Sequence, residues 1–475
     1  MKIVKRAIAG LLVGTVSCVA PAKKMAPPES LEVPAKWQAA SGQERETNTI
    51  WWEAFSSPEL DQILVEAFSG NPDLQAMTAR VESAAASARI AGASLYPGVT
   101  AGLDGSRRKQ NFIGFPIPGS TSNVLSTQAT TYGLSLATNW ELDLWGRVRA
   151  SKRAAMAEQG AANADYAMRR LSLAAQVSKG WLNVIAARQQ LSLAERSAAS
   201  FADTADKIRS RYEQGLRSTL EYQLSINSAE SAKALVVERR QQVLQAVQQL
   251  ELLLGRYPAG ALETDEELPE LIGDIAAGIP STLMARRPDL VAAERRLAAA
   301  DQRLRESKAS LFPQISLSGS TGTSTAELKD LLDTDFSVWT LAGNLAQPLF
   351  QGGRLRAGVD LSKGRVKEAL AQYVSAVLKA FGEVEYSLAS EAFLKEREGY
   401  VRAAAEQSES ALALANRRYE TGLEELINVL ESQRRSLSDA TQLISVRQAR
   451  LNNRVDLFLA LGGGTEREGS LREER

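Results

Sequence analysis

The chain has 475 residues, with 56 Lys+Arg against 56 Asp+Glu and a formal net charge of +0, so its global charge does not point to a nucleic-acid partner. It holds no histidine and one cysteine, which removes imidazole acid/base chemistry, Cys/His nucleophile pairs and the commonest zinc sites together. With no Gly-rich phosphate loop ending in Lys-Ser or Lys-Thr either, neither an enzyme nor a cofactor or metal is expected, and the 6% aromatic share beside abundant alanine suits long helices packed at small side chains.

Lys2, Lys5 and Arg6 precede the apolar run from Ala7 to Val16, the layout of a secretory signal too short to span a bilayer. Residues 1–17 are therefore read as a signal peptide. Cys18 follows the small Ser17, which resembles the bacterial lipoprotein signal whose cysteine becomes the acylated, palmitate-bearing N-terminus, although Thr15 departs from the usual Leu. Ordinary cleavage near Ala20-Pro21-Ala22 is the alternative. Residues 18–50, rich in proline and poor in apolar pattern, read as an extended tether.

The folded part opens at Trp51-Trp52 and Phe55. A helix pattern runs from about Pro58 to Phe68, and a second starts at Asn71-Pro72-Asp73-Leu74 and continues through Ile90. Beyond Ser94-Leu95-Tyr96-Pro97 the period changes from helical to alternating. Tyr132, Leu134, Leu136, Trp140, Leu142 and Leu144 fall on one side of a strand, and Gly133, Ser135, Asn139, Glu141 and Asp143 mostly on the other. The reading is a β-hairpin over 95–145 with a surface loop from Gln110 to Ser126. From Arg147 to Gln214 come 68 residues without proline, a helix about 100 Å long. Its return, from Leu216 to about Leu254, carries Val243, Val247, Leu250 and Leu254 at coiled-coil spacing.

Arg211-Tyr212-Glu213-Gln214-Gly215-Leu216 comes back 207 positions later as Arg418-Tyr419-Glu420-Thr421-Gly422-Leu423. Glycine is the only breaker in either stretch, so Gly215 and Gly422 read as the turns of two long helical hairpins. Arg287-Pro288-Asp289-Leu290 and Ser310-Leu311-Phe312-Pro313 repeat earlier landmarks at an offset of 216, and Gly353-Arg354-Leu355-Arg356-Ala357 repeats Gly146 to Ala150 at 207. The change of nine places nine extra residues in the first β-hairpin. The chain thus divides into a first repeat (51–255), a mixed segment with an acidic cluster (256–282), a second repeat (283–462) with its hairpin over 311–350, and a charged tail (463–475). In the second repeat Leu437, Ile444, Leu451 and Phe458 recur at sevens, with Val455 between them.

Strands about ten residues long with aromatic ends suit a bilayer crossing, and packing as soluble hairpins on a helical core is the alternative. Four strands leave open edges that lipid does not tolerate, so a membrane sheet requires oligomers, and three chains would give twelve strands.

Trp51-Trp52 with Phe55, Asn71-Pro72-Asp73-Leu74, Ser94-Leu95-Tyr96-Pro97, Trp140-Glu141-Leu142-Asp143-Leu144-Trp145-Gly146-Arg147, Ile279-Pro280-Ser281, Arg287-Pro288-Asp289-Leu290 and the doubled Arg-Tyr-x-x-Gly tips together resemble the TolC-like outer-membrane factors. The resemblance covers about Trp51 to Leu461 and is closest to the lipoprotein branch that serves RND-type efflux pumps. It implies an α+β membrane protein: a homotrimer with a twelve-stranded outer-membrane barrel, four strands per chain, and a periplasmic barrel of coiled helices. The implied function is the exit channel of a tripartite efflux system in a Gram-negative outer membrane, passing antibiotics or other small toxic compounds. Its partners would be a periplasmic adaptor and an inner-membrane pump of RND type, with outer-membrane lipid around the barrel and no nucleic acid. Gly215, Leu216, Gly422 and Leu423 would face the adaptor. Aligned on Gly422, the family's gate falls on Tyr419, Glu424, Asn428 and Glu431, with Glu221 from the first hairpin. One family pattern has a basic residue where this chain has Glu424 and an acid where it has Asn428, so the closing lock is expected to be wired differently. An exit duct for type I protein secretion and a soluble periplasmic coiled-coil scaffold are the alternatives.

Overall fold

A computed structural model of the chain describes residues 34, 36–38, 51–113, 124–265, 267–271 and 280–463. Cys18, the signal segment and most of the tether and tail lie outside them. The chain divides into two compact units, one built on 94–157 and 296–366 and the other on 33–93, 158–295 and 367–463.

The first unit is a four-stranded antiparallel sheet with the helix ends that enter and leave it. β1 (Gly98–Ile113), β2 (Val124–Leu142), β3 (Gln314–Thr325) and β4 (Ser337–Ala346) lie in chain order, which leaves β1 and β4 as unpaired edges. Residues directly opposite on neighbouring strands share a face. The register therefore sets Val99, Ala101 and Leu103 beside Leu134 and Leu136, and carries the same face through Trp140, Leu142, Leu317 and Ile315 to Trp339, Leu341 and Leu345. Of these, Leu103, Trp339, Leu341 and Leu345 are 69%, 79%, 76% and 66% exposed, a face that no described part of the chain covers. The opposite face is polar and small: Thr100, Gly102, Ser135, Asn139, Ser316, Ser318, Ser320, Thr340 and Asn344. Leu144, read from the alternation as a strand residue, lies past the end of β2 in a tight turn.

One expectation is corrected here. Gln110 to Ser126 is not loop throughout, because Gln110 pairs with Thr127, Asn111 with Ser126 and Ile113 with Val124. Polar side chains with weak strand preference are held in the ladder by its backbone hydrogen bonds, so much of the extra length of the first copy extends the hairpin.

The family-like motifs weld strand to helix. Asp143 accepts the backbone N–H groups of Val148 (3.0 Å) and Arg149 (2.9 Å) at the start of the following helix, α3 (Arg147–Glu213). Arg147 grips Glu141 with Nε and Nη2 at 3.0 and 2.6 Å. The Trp145 indole donates to the Pro313 carbonyl (2.7 Å) and stacks on Phe312, which ties the two sequence copies together, while Trp140 donates to the Leu95 carbonyl (3.0 Å) within the first copy.

The second unit is helical. It contains α1 (Pro58–Gly70), all of α2 (Pro72–Ala93) and the greater part of α3, together with α4 (Thr219–Leu254), α5 (Pro280–Arg286) and the start of α6 (Pro288–Ala309). The remainder of α7 (Arg354–Glu420) and all of α8 (Leu426–Ala460) complete it. Trp51, Trp52, Phe55, Leu60 and Leu64 pack with Trp181, Ile185, Val247, Leu250, Leu254, Leu451, Val455 and Phe458 in one cluster. The coiled-coil seams read from the sequence supply Val247, Leu250, Leu254, Leu451, Val455 and Phe458 to it, and Val243 and Ile444 lie against its rim. Asn71 and Arg287, at equivalent starts of α2 and α6, play matching roles. Asn71 donates to the Leu253 carbonyl (2.9 Å) at the end of α4, and Arg287 to the Ala460 carbonyl (3.1 Å) at the end of α8, with Glu383 and Asp289 neutralising the buried guanidinium. Within 256–271, Gly260, Ala261 and Leu262 donate backbone N–H groups to the buried Glu251 carboxylate, and Arg188 donates to the Leu262 and Thr264 carbonyls. Trp37 is not free of the body. Its ring is buried edge-on against Phe381, 5.9 Å between centroids. Among the described residues no helix is long and apolar enough to cross a membrane.

Candidate functional site: the hairpin tips

The two helical hairpins turn by the same device. At the first, Leu216 N–H donates to the Arg211 carbonyl (2.8 Å) and Gly215 N–H to that of Tyr212 (2.8 Å). At the second, Leu423 donates to Arg418 (2.9 Å) and Gly422 to Tyr419 (3.1 Å). This is the paired six-to-one and five-to-two closure of a helix by a left-handed residue, and Gly215 and Gly422 have φ of +75° and +77°. Leu216 and Leu423, each just past the glycine, are 68% and 70% exposed.

The tips pack on each other through a small core of Phe201, Ala205, Ile208, Ala229, Ala415, Tyr419, Leu426, Val429 and Leu430. Tyr419 is the polar member. Its ring is buried between two guanidiniums of the first hairpin, Arg217 at 5.0 Å and Arg211 at 5.7 Å from the centroid. Burial pushes the Tyr419 phenol up, and the two arginines oppose that rise. Arg217 also donates to Glu221 (3.1 Å), so Tyr419 and Glu221 belong to one cluster built around Arg217. Nearer the base of the core, buried Gln433 donates to the Ser200 and Thr204 hydroxyls (2.9 and 3.1 Å) across the hairpins.

Glu424 and Asn428 form a second cluster. The Asn428 amide donates to Glu424 (2.6 Å), and Arg418 pairs with the same carboxylate at 3.2 Å. These contacts hold the Glu424 carboxyl below its ordinary range, the Asn428 hydrogen bond first among them. Glu431 belongs to neither cluster. Its side chain is 58% exposed and, among the described residues, pairs only with Arg435, at 3.7 Å on its own helix.

Sequence reasoning missed Arg211, Arg217, Arg418 and Gln433. A signal was available for three of them. Arg211 and Arg418 belong to the repeated motif itself, and Arg217 stands where the second copy has Glu424, a charge reversal inside a repeat. Gln433 carried no comparable mark.

A sheet with one bare apolar face, two open edges and a polar reverse face, in a chain that also carries two long helical hairpins, defines a membrane channel protein whose barrel is completed by other copies. The sequence model of the outer membrane efflux protein family matches residues 63–256 and 279–463, and the chain belongs to that family. The outer membrane protein OprJ of Pseudomonas aeruginosa is 35% identical over 441 residues, covering 92% of this chain and 91% of OprJ. The pyoverdine export outer membrane protein OpmQ of the same species is 34% identical over 451 residues, 94% of each. The structure of the open state of the Neisseria gonorrhoeae MtrE outer membrane channel superposes with a TM-score of 0.81 at 27% identity, covering 93% of this chain and 98% of that one. The chain is an outer-membrane exit channel of an efflux system of Gram-negative bacteria. Its trimer closes a twelve-stranded barrel with four strands from each chain. Proteins of this family are channels rather than enzymes.

Proposed function

We propose that the hairpin tips are the closable, adaptor-facing end of this efflux channel, and that its cargo is small toxic compounds such as antibiotics. The observation that carries the reading is Tyr419, a residue of the second hairpin held between Arg211 and Arg217 of the first. Moving one hairpin away from the other must break that contact, which makes it a latch. A periplasmic adaptor able to bind exposed Leu216 and Leu423 could offset the cost of opening, because those side chains are already bare in the closed packing. An RND type for the inner-membrane pump is supported by the resemblance to the lipoprotein branch, and the acylation of Cys18 is part of this proposal. Cargo class is supported by the relatives, which include a pyoverdine exporter and the toluene efflux pump outer membrane protein TtgF of Pseudomonas putida. Tyr386, Phe393 and Tyr400, exposed at sevens along α7, offer the seam on which neighbouring copies would pack.

The test is efflux in cells lacking the native channel. Replacing Leu216 and Leu423 together by Asp should restore drug sensitivity while trimer and outer-membrane levels hold. Unchanged resistance with the double variant would remove the tips from the adaptor interface.

A further inference from the structure

The lipid-facing face of the sheet does not end where its apolar band ends. On β1 and β2 that face runs upward through the Leu103–Leu134 rung and the Gly105–Tyr132 rung, and then meets Arg107 opposite Thr130 and Lys109 opposite Gln128. β3 stops at Thr325, opposite Tyr132, so beyond this level β1 and β2 pair only with each other among the described strands. Arg107 and Lys109 are exposed, and among the described residues no carboxylate lies within ion-pair reach of either. Arg107 is steered by its neighbour, since its Nη2 donates to Gln128 Oε1 at 3.3 Å. The intervening Arg108 points to the opposite face with Gly102 and Ser135.

Height places these cations. From Leu134 down to Leu142 the apolar face of β2 covers eight residues, about 26 Å along the strand and roughly 20 Å along the membrane normal at the usual tilt. Arg107 lies four residues above Leu103, about 13 Å along the strand and ~10 Å along the normal, with Lys109 some 5 Å higher. Tyr132 marks the boundary, where amphipathic rings gather. The two cations therefore stand on the outward face in the headgroup zone of the leaflet the hairpin reaches, which is the outer one, because the helices leave the sheet from its other end.

We propose that Arg107 and Lys109 form a docking site for the phosphate groups of the phosphorylated glycolipid of the outer leaflet, with Thr130 and Gln128 beside them as hydrogen-bonding flanks. A guanidinium matches a phosphate with two parallel N–H donors, and an ammonium adds a second charge one rung higher. The site is continuous with the apolar face, so one lipid molecule meets both, acyl chains below and phosphate above. The competing occupant is the acidic connection between β3 and β4 of a neighbouring copy, with Asp333 and Asp335. It is disfavoured because Asp333 already accepts the Asp335 N–H (3.0 Å) and because Arg107 and Lys109 project toward lipid.

The proposal rests on the membrane placement of the sheet. Its test uses the purified full-length trimer in phosphatidylcholine nanodiscs at low salt, titrated with bisphosphorylated lipid A, with its dephosphorylated form and with inorganic phosphate. Wild type should bind the bisphosphorylated lipid roughly tenfold or more tightly than the dephosphorylated one, and Arg107→Ala with Lys109→Ala should abolish that difference. Arg107→Lys should retain most of it, Arg108→Ala should leave it intact, and inorganic phosphate should not displace the lipid. Equal binding of the two lipids, or equal loss with Arg108→Ala, overturns the proposal. Dissociation of the trimer by the double variant would assign these residues to a clasp between copies instead. A wild-type chain that does not insert as a trimer, read from its mass in the same preparation, would remove the barrel placement and this site with it.

Discussion

The two helical tips share a turn and differ in nearly everything that surrounds it. Both close with a left-handed glycine and the same pair of backbone hydrogen bonds. After the turn, the first hairpin restarts its helix with a full capping box: Ser218 Oγ accepts the Glu221 N–H (3.2 Å), and Glu221 accepts the Ser218 N–H (3.0 Å). The second restarts on Glu425, which makes no side-chain cap. Arg217 in the first copy is replaced by Glu424 in the second, and Glu221 by Asn428. Duplication thus kept the backbone solution and freed the side chains. The first tip became a fully capped, arginine-bearing platform, and the second a less firmly capped arm that inserts Tyr419 into it. The arm is the half expected to move.

The largest difference should appear between the two aligned tyrosines. Tyr419→Ala removes a buried ring from the inter-hairpin core, about 3 kcal/mol by the usual cost of such truncations, and ~1 kcal/mol more from the two guanidiniums. Tyr212 is only partly buried and stacks on Tyr222 within its own hairpin (4.8 Å, 1°). Planar-bilayer recordings should show a strongly raised leak for Tyr419→Ala and a small one for Tyr212→Ala. Equal leaks would mean that the latch is not at Tyr419.

Next come the turns. A Cβ built on Gly215 or Gly422 meets nothing within 4 Å, so Gly→Val at either site costs only the left-handed backbone, about 1–2 kcal/mol, with β-branching toward the upper end. The stability cost should therefore match at the two sites, by hydrogen exchange of the flanking turns. Efflux should fall in both while outer-membrane levels hold, and further for Gly422→Val if the second arm is the mobile one.

A smaller effect separates the caps. Ser218→Ala should destabilise the start of α4 by about 1 kcal/mol, whereas Glu425→Ser should gain part of that at α8. The Glu221 carboxyl lies below its ordinary value of 4.5, first because of the Ser218 N–H and then through the Ser218 hydroxyl and Arg217, with desolvation opposing. A lowered folded value means that this contribution is complete above pH 4.5 and is lost as pH falls through the lowered value. Exchange protection at the first tip should hold at neutral pH and drop only below that range. Protection that fell away between pH 7 and 5 would contradict the assignment.

Much of this asymmetry sits where sequence patterns are weak. The glycine turns, the seams of α4 and α8 and the alternation of β2 were legible, because a breaker in a long helical stretch and a fixed apolar period are local signals. Polar Gln110, Asn111 and Ser126 read as loop because what makes them strand is the ladder across the hairpin, which no single segment displays. The clasp on Tyr419 joins Arg211 and Arg217 across some two hundred residues, and the burial of Trp37 on Phe381 spans more than three hundred. Such contacts depend on how helices pair, and pairing is decided by the whole bundle.

Glu431 gives the finest test of the comparison, because Leu224 occupies the equivalent position of the first hairpin. Among the described residues of one chain Glu431 pairs only with Arg435, an exposed pair worth less than about 0.5 kcal/mol, so Glu431→Lys should leave the fold and the closed state nearly unchanged. Its effect is reserved for the assembled channel. If threefold symmetry brings three such carboxylates around the narrow end, they attract cations through water of reduced dielectric response. Glu431→Gln should then lower cation preference, and Glu431→Lys should turn it toward anions, both with little change in leak. Reversal potentials under a salt gradient measure this directly, and Leu224→Lys serves as the control from the first hairpin. If the Glu431→Lys and wild-type potentials coincide, Glu431 lies on the outer wall and the second arm contributes only its latch to the gate.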